Sequence, residues 1–222
     1  GIAVGHQVVD LGSGPGFFAS GLAQIVGDAG RVHGVDINGD FIDSARSRFS
    51  DHDNMTFYRV EDHRLPFDDG QVDRVICKNV LEYVPDLEAT LTEVHRVTAP
   101  GGRAHIIDSD WGFLVVEPWS TETITEFFKA ASPAFREPYI GRRVAGALKN
   151  AGFARVQVKL SPFVDQSGRG LHVLRNMASY SETFDTLPKA RVETLLAQVE
   201  QSLADNKFLF VLPQFLVTAY KE

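Results

Sequence analysis

Val8-Val9-Asp10-Leu11-Gly12-Ser13-Gly14-Pro15-Gly16-Phe17 is the stretch on which the reading of this chain turns. An apolar, β-branched run breaks into three glycines within five positions and then resumes at helical spacing. The pattern predicts a buried strand, a tight turn and the first turn of a helix. Glycine at alternate positions permits positive φ and lets a ligand approach the backbone closely. A helix N-terminus after such a turn presents unpaired N–H groups and the positive end of a macrodipole. A nucleotide-like ligand is therefore expected there.

The glycine spacing narrows the choice. A dinucleotide fingerprint needs G-x-G-x-x-G, the third glycine packing helix on strand. Here the glycines run Gly12-x-Gly14-x-Gly16, with Pro15 between the last two. No Gly-Lys-Ser/Thr follows, which excludes a Walker phosphate loop. Asp36 stands 20 residues beyond Gly16, at the end of the second expected strand, where a carboxylate accepts both ribose hydroxyls. That acid suits any adenosine cofactor.

Outward from the turn, strands and amphipathic helices alternate. A first helix runs through Val26 and ends at Gly27-Asp28-Ala29-Gly30, and a second strand covers Arg31 to Asp36. Asn38 is placed to cap a helix with the apolar stripe Phe41, Ile42, Ala45 and Phe49. Further strands are expected over Met55 to Val60, Val72 to Cys77 and Arg103 to Asp108. A helix from Pro85-Asp86 precedes the last of these and stops at Pro100-Gly101-Gly102. This rhythm predicts an α/β fold: a Rossmann-like, doubly wound, seven-stranded sheet, mostly parallel, with helices on both faces. Ligands in such sheets sit outside the carboxyl ends of the strands.

From Ser109 the rhythm changes. Trp111 to Trp119 reads as an aromatic loop, followed by helices over about Thr121 to Ala131 and Ile140 to Asn150. A sixth strand is expected over Phe153 to Leu160, then a long excursion, Ser161 to Asn206, with one helix near Lys189 to Leu203. Phe208 to Ala219 reads as a last strand, antiparallel after so long a detour. The expected organisation is one domain over residues 1–222. Its cofactor-binding half is 1–108 and its substrate-side half is 109–222, the latter with an insert at about 161–206.

Composition excludes several classes. With 22 Lys and Arg against 29 Asp and Glu the formal charge is −7, and no basic run of five residues occurs, so nucleic acid is not expected as partner. The single cysteine, Cys77, rules out an internal disulfide framework and a Cys-based metal cluster, and no metal is expected. Gly1 to Val9 carries no basic segment ahead of an apolar core, and Phe208 to Tyr220 is too short to span a bilayer. A cytoplasmic location is the expectation.

Four segments in order resemble the class I S-adenosylmethionine-dependent methyltransferases, in particular the small-molecule, ubiquinone/menaquinone-type (methyltransferase type 11) branch. They are Val9 to Gly16, Val35-Asp36-Ile37, Glu61 to Phe67 and Asp73 to Asp86, and Arg96 to Gly102 adds a matching helix-turn. The resemblance implies S-adenosylmethionine as cofactor and S-adenosylhomocysteine as product. It assigns the cofactor to Asp10, Gly12, Ser13, Gly14, Gly16, Phe17, Asp36, Ile37, Asp62, His63, Lys78 and Asn79. Tyr83 stands where many relatives carry His, which leaves any proton-transfer role of that His without a bearer. Relatives also place helices ahead of the first strand, and no such helix is expected ahead of Val8 in this sequence.

The implied reaction is methyl transfer to an O, N or C nucleophile of a small, moderately apolar metabolite. Positioning and desolvation supply much of such a rate, so no dedicated base is required unless the acceptor must lose a proton. The candidate acceptor-side residues are Tyr83, Asp110, Trp111 and Arg142; Asp108 and His172 are further rim candidates. Each has a plainer reading. The aspartates are suited to capping the loop after the fifth strand, the tryptophan to packing, and the arginine to a solvated helix start. Three alternatives stay open: a non-methylating member of the fold such as a cyclase, a nicotinamide oxidoreductase, and a regulatory cofactor-binding protein.

Overall fold

Parallel strands joined by helices need both sheet faces covered, and the direction in which successive strands are added decides which helix covers which face. The computed structural model describes all 222 residues, Gly1–Glu222. Strand β1 (Gln7–Leu11) is followed by α1 (Phe17–Val26), β2 (Arg31–Asp36), α2 (Gly39–Arg48) and β3 (Met55–Arg59). The chain then adds β4 (Val72–Lys78), α3 (Leu87–Val97) and β5 (Thr98–Ser109) on the other side of β1. The seven-stranded sheet has the order β3-β2-β1-β4-β5-β10-β7, with β7 at Arg155–Ser161 and β10 at Gln214–Tyr220.

The register is parallel from β3 to β5, as in Val8↔Val32, Val9↔Val75 and Ile76↔His105. Strand β10 is antiparallel. Gly101 N–H donates to Lys221 O while His105 Nδ1 lies 3.1 Å from Thr218 Oγ1, so the two strands count in opposite directions. Right-handed crossovers place α1 and α2 on one face of the sheet and α3 on the other. Val8, Leu22, Val26, Val32, Ile42 and Phe57 form the core of the α1/α2 face, each at most 5% exposed. Burial of a side chain of this size contributes about 1.5–3 kcal/mol.

The chain divides into two compact units. The first comprises Gly1–Asp108, Arg143–Lys159 and Leu216–Glu222; the second comprises Ser109–Arg142 and Leu160–Phe215. Segments 143–159 and 216–222, beyond the change of rhythm at Ser109, belong with the first unit. The second unit holds α4 (Thr121–Ala131), α6 (Leu171–Thr183) and α7 (Lys189–Ala204). It also holds a small antiparallel sheet of order β6-β9-β8, formed by Val115–Glu117, Leu209–Val211 and Val164–Asp165. Helix α5 (Ile140–Asn150) begins in the second unit and continues into the first from Arg143.

Several boundaries differ from expectation. Strand β5 starts at Thr98, because Pro100 and Gly101 continue the strand and Gly101 pairs with Lys221. The apolar stretch near the C-terminus forms two strands, since Pro213 lacks the N–H needed to continue one ladder. The loop after Trp111 contains β6. Helix α6 lies inside the expected excursion; its buried face, Leu171, Leu174, Met177, Ala178 and Ser181, is diluted by small residues. Helix α4 is capped by Ser120 Oγ accepting from Thr123 N–H. No helix of the chain is long and apolar enough to cross a membrane.

Candidate functional site

The glycine turn after β1 is bound inward. Gly12 and Ser13 N–H both donate to Val35 O, at 2.8 and 3.0 Å, and Gly16 N–H donates to Ser13 O. Gly14 N–H donates to Asp36 Oδ2 at 2.8 Å. A turn whose amides are committed in this way offers no nest of free N–H groups to a phosphate. That is the physical reason it differs from a phosphate loop. Gly12, Gly14 and Gly16 have φ of 75°, 53° and 84°, in the left-handed region. A Cβ at Gly12 would collide with Val80, whereas a Cβ at Gly14 would meet no atom within 4 Å and would project into open space.

That open space belongs to a cavity of about 620 Å³ at the carboxyl ends of β1 to β4. The volume lies within the roughly 300–1,000 Å³ typical of small-molecule sites. Four chain segments supply most of its wall: Leu11, Gly12 and Gly14 at the end of β1, Val35 to Asn38 at the end of β2, Val60 to His63 and Leu65 after β3, and Asn79, Val80 and Tyr83 to Asp86 after β4, with Phe41 and Thr90 completing it. It sits where strand addition reverses direction between β1 and β4, the position expected for ligands in such sheets. Asp36 Oδ1 accepts Asn38 N–H at 2.9 Å, and Asn38 Oδ1 in turn caps α2 by accepting from Asp40 and Phe41. Each carboxylate oxygen has a second lone-pair site, so Asp36 can still accept two hydroxyls. Asn79 takes φ of 54°, a left-handed conformation that Asn tolerates better than most side chains and that clusters at functional sites.

Of the cofactor residues expected from sequence, the cavity brings together Gly12, Gly14, Asp36, Ile37, Asp62, His63 and Asn79, and it adds Tyr83. Asp10, Ser13, Gly16, Phe17 and Lys78 are outside its walls. Asp10 lies beneath the turn at 2% exposure with Oδ2 unpartnered, and Ser13 Oγ is likewise buried without a partner. Burial, and next the Asp36 charge, push the Asp10 carboxyl up to about 7; Lys78 and the Ala19 N–H pull the other way. Gly16 serves packing, because a Cβ there would lie 2.8 Å from Phe57 and 2.9 Å from Phe49. Phe17 is exposed beneath the Arg48 guanidinium, 4.4 Å from its ring centre. Lys78 is exposed. Sequence reasoning left out Phe41, Glu61, Val80 and Asp86, although Glu61, Val80 and Asp86 stood within the recognised segments.

Asp110, Trp111 and Arg142 belong to the second unit. Asp110 is fully buried; Arg142 reaches it through Nε to Oδ2 and through Nη2 to Oδ1 at 2.8 Å, and Gly112 N–H donates to Oδ1 at 3.0 Å. Trp111 is 8% exposed and packs against Phe128 and Phe135, and Trp119 is 6% exposed. Both belong to the hydrophobic core of that unit, the plainer of the two readings of Trp111. His172 is exposed on α6. Asp108 is fully buried and accepts Leu81 N–H at 3.1 Å. Cys77 is buried, with its thiol pushed up by burial and the nearby carboxylates.

A family model described as a methyltransferase domain matches residues 9–106. An uncharacterized 37.1 kDa protein in transposon Tn4556 of Streptomyces fradiae is 32% identical over 151 residues, which is 68% of this chain and 44% of that protein. The ubiquinone/menaquinone biosynthesis C-methyltransferase UbiE of Hahella chejuensis is 32% identical over 111 residues, 49% of this chain and 45% of the relative. A solved structure of Haemonchus contortus phosphoethanolamine N-methyltransferase 2, in complex with phosphomonomethylethanolamine and S-adenosylhomocysteine, is similar with a TM-score of 0.65. It is 18% identical and the match covers 100% of this chain and 50% of that one, a likeness of fold. The chain spans less than half the length of these two curated relatives.

Proposed function

The chain belongs to the class I S-adenosylmethionine-dependent methyltransferases, and from that premise we propose that the cavity at the ends of β1 to β4 holds the cofactor and serves methyl transfer to a small metabolite. One observation carries the reading. The glycine turn, Asp36, Asp62, His63 and Asn79, scattered over nearly seventy residues of sequence, line the same cavity.

The residues suit the group. Asp36 is placed to accept the ribose hydroxyls, and the open space above Gly14 admits a ligand flush against the backbone. Ile37 and Phe41 supply apolar surface for a purine ring, and Asp62 and His63 supply polar atoms at its edge. Asn79 and Tyr83 form the wall after β4, toward the reacting end. When bound, S-adenosylmethionine supplies a methyl group already activated by a sulfonium. The chain's part is to align an acceptor behind that carbon and to exclude water, which can contribute roughly 7–11 kcal/mol. Tyr83 serves as part of that wall, and no base is assigned to it.

The acceptor is proposed as a moderately apolar small molecule. With Trp111 and Trp119 packed into a core, support for that class now comes from Tyr83, Val84 and Pro85 at the cavity. The test is incubation with methyl-labelled S-adenosylmethionine and a panel of phenols, quinols, amines and activated carbon acids. Label in an acceptor together with S-adenosylhomocysteine supports the reading. Cofactor binding without transfer to any acceptor would favour a non-methylating member of the fold, and absence of binding would overturn the site.

A further inference from the structure

The cavity wall has a one-sided charge. Among its lining residues Asp36, Glu61, Asp62 and Asp86 bear carboxylates, and none is Lys or Arg. Arg59, Arg64 and Lys78, the cations adjoining these segments in the chain, are all outside the lining. Asp36 and Asp62 have local work to do: Asp36 accepts from Gly14 and Asn38, and Asp62 Oδ1 accepts Arg64 N–H at 2.8 Å. Asp86 caps α3 by accepting Ala89 N–H at 2.9 Å. None of these local bonds explains why every formal charge on the wall has one sign. A cleft lined by a single sign focuses the field of its charges on whatever enters it.

The two forms of the cofactor differ in charge. S-adenosylmethionine carries an ammonium, a carboxylate and a sulfonium, a net charge of about +1 near neutral pH. S-adenosylhomocysteine keeps the ammonium and carboxylate but has a neutral thioether, so its net charge is about zero. We propose that the acidic wall discriminates between them, with Glu61 and Asp86 acting as specificity-determining residues that favour the sulfonium form and ease release of the product. The inference rests on the cofactor reading of this cavity. Transfer breaks the bond between sulfur and the methyl carbon, leaves that electron pair on sulfur, and forms the new bond from an acceptor lone pair. The positive charge leaves with the methyl group, and the wall loses its counter-charge at the step after which product must depart.

Exposed carboxylates act weakly one at a time and are screened by salt, so the discrimination is modest and depends on ionic strength. Calorimetry with three probes tests it: S-adenosylmethionine, S-adenosylhomocysteine, and sinefungin, an analogue bearing a carbon-linked ammonium in place of the methylsulfonium. Raising salt from about 50 mM to about 500 mM is expected to weaken the two cationic ligands roughly threefold or more, and the neutral product much less. A Glu61→Gln/Asp86→Asn variant is expected to bind both cationic ligands roughly 2–5-fold more weakly while S-adenosylhomocysteine binds as before. Asn preserves the helix cap, and unaltered product binding reports an intact pocket. Equal losses for all three ligands, or a ratio indifferent to salt and to the variant, would overturn the charge proposal alone. Binding of none of the three by the unaltered protein would overturn the cofactor reading, and this inference with it.

Discussion

The Asp36 carboxylate receives the Gly14 backbone N–H at 2.8 Å, so the acid that ends β2 and the glycine turn that follows β1 form one hydrogen-bonded unit. Its other oxygen holds Asn38 N–H, which starts α2. The residue proposed to grip the ribose therefore also shapes the cradle. Asp36→Ala is expected to weaken S-adenosylmethionine binding on the order of 100-fold, the loss of two charge-assisted hydrogen bonds plus a looser turn. Asp36→Asn keeps one acceptor oxygen and should fall between. Titration calorimetry of the three proteins checks the order, and equal affinities would remove Asp36 from the site.

Gly12 and Gly14 separate fold from function. Gly12→Ala pays for positive φ and drives a Cβ into Val80, so it is expected to destabilise the protein by about 2–4 kcal/mol. For a chain of this size that lowers Tm by roughly 4–16 °C. Gly14→Ala meets no protein atom, so its stability cost is the backbone strain of about 1–2 kcal/mol, while its methyl group enters the cavity. Thermal melts with and without cofactor distinguish them: the Gly14 variant should lose more of the ligand-induced rise in Tm than of the ligand-free Tm.

The turn and Asp36 were legible in sequence because each is a local device, a run of glycines or an acid at a fixed distance from it. Asn38 was legible for the same reason, as a cap directly before an apolar stripe. Gly16 was not. Its positive φ is local, but the rings that forbid a side chain there, Phe57 and Phe49, arrive from β3 and α2. Trp111 is ambiguous in sequence, because an aromatic cluster after a strand looks the same whether it walls a pocket or fills a core. Its contacts with Phe128 and Phe135 become visible only in the fold. Helix α6 was missed where Ala178 and Ser181 dilute the apolar stripe. Glu61 and Asp86 face one cavity only because β3 and β4 end at the same edge of the sheet, with β1 and β2 between them.

Asp10 gives the protein a pH signature. Burial and the Asp36 charge raise its carboxyl to about 7 in the folded chain, above the unfolded value near 3.9. The folded state therefore holds the proton more tightly, and stability from this group is greatest in acid and declines as pH rises to about 7. His33 and His105 act oppositely: burial lowers both, His105 to about 4, so their contribution is lost as pH falls below the unfolded value near 6.5. Wild-type melts alone would mix the two. The difference in Tm between Asp10→Asn and wild type isolates the carboxyl, and it is expected to move in favour of the variant from pH 5 to pH 8 by a few degrees. A difference that is flat with pH would show that Asp10 stays ionised throughout.

In the second unit, Arg142 provides two guanidinium hydrogen bonds to the fully buried Asp110, whose Oδ1 also accepts Gly112 N–H. Removing the cation leaves a buried carboxylate with one backbone donor, and that is the costly half of breaking such a pair. The Arg142 side chain is 55% exposed, so water can partly take over, and Arg142→Ala is expected to lower the denaturation midpoint measurably without unfolding the chain. Arg142→Lys restores the charge but cannot form the paired fork, and should recover only part of that loss. Asp110→Asn removes the buried charge while keeping an acceptor for Gly112, so the double variant Arg142→Ala/Asp110→Asn should be more stable than Arg142→Ala alone. Chemical denaturation of wild type, the three single variants and the double variant reads the coupling. Full additivity would mean that the two side chains, although in contact, do not stabilise one another.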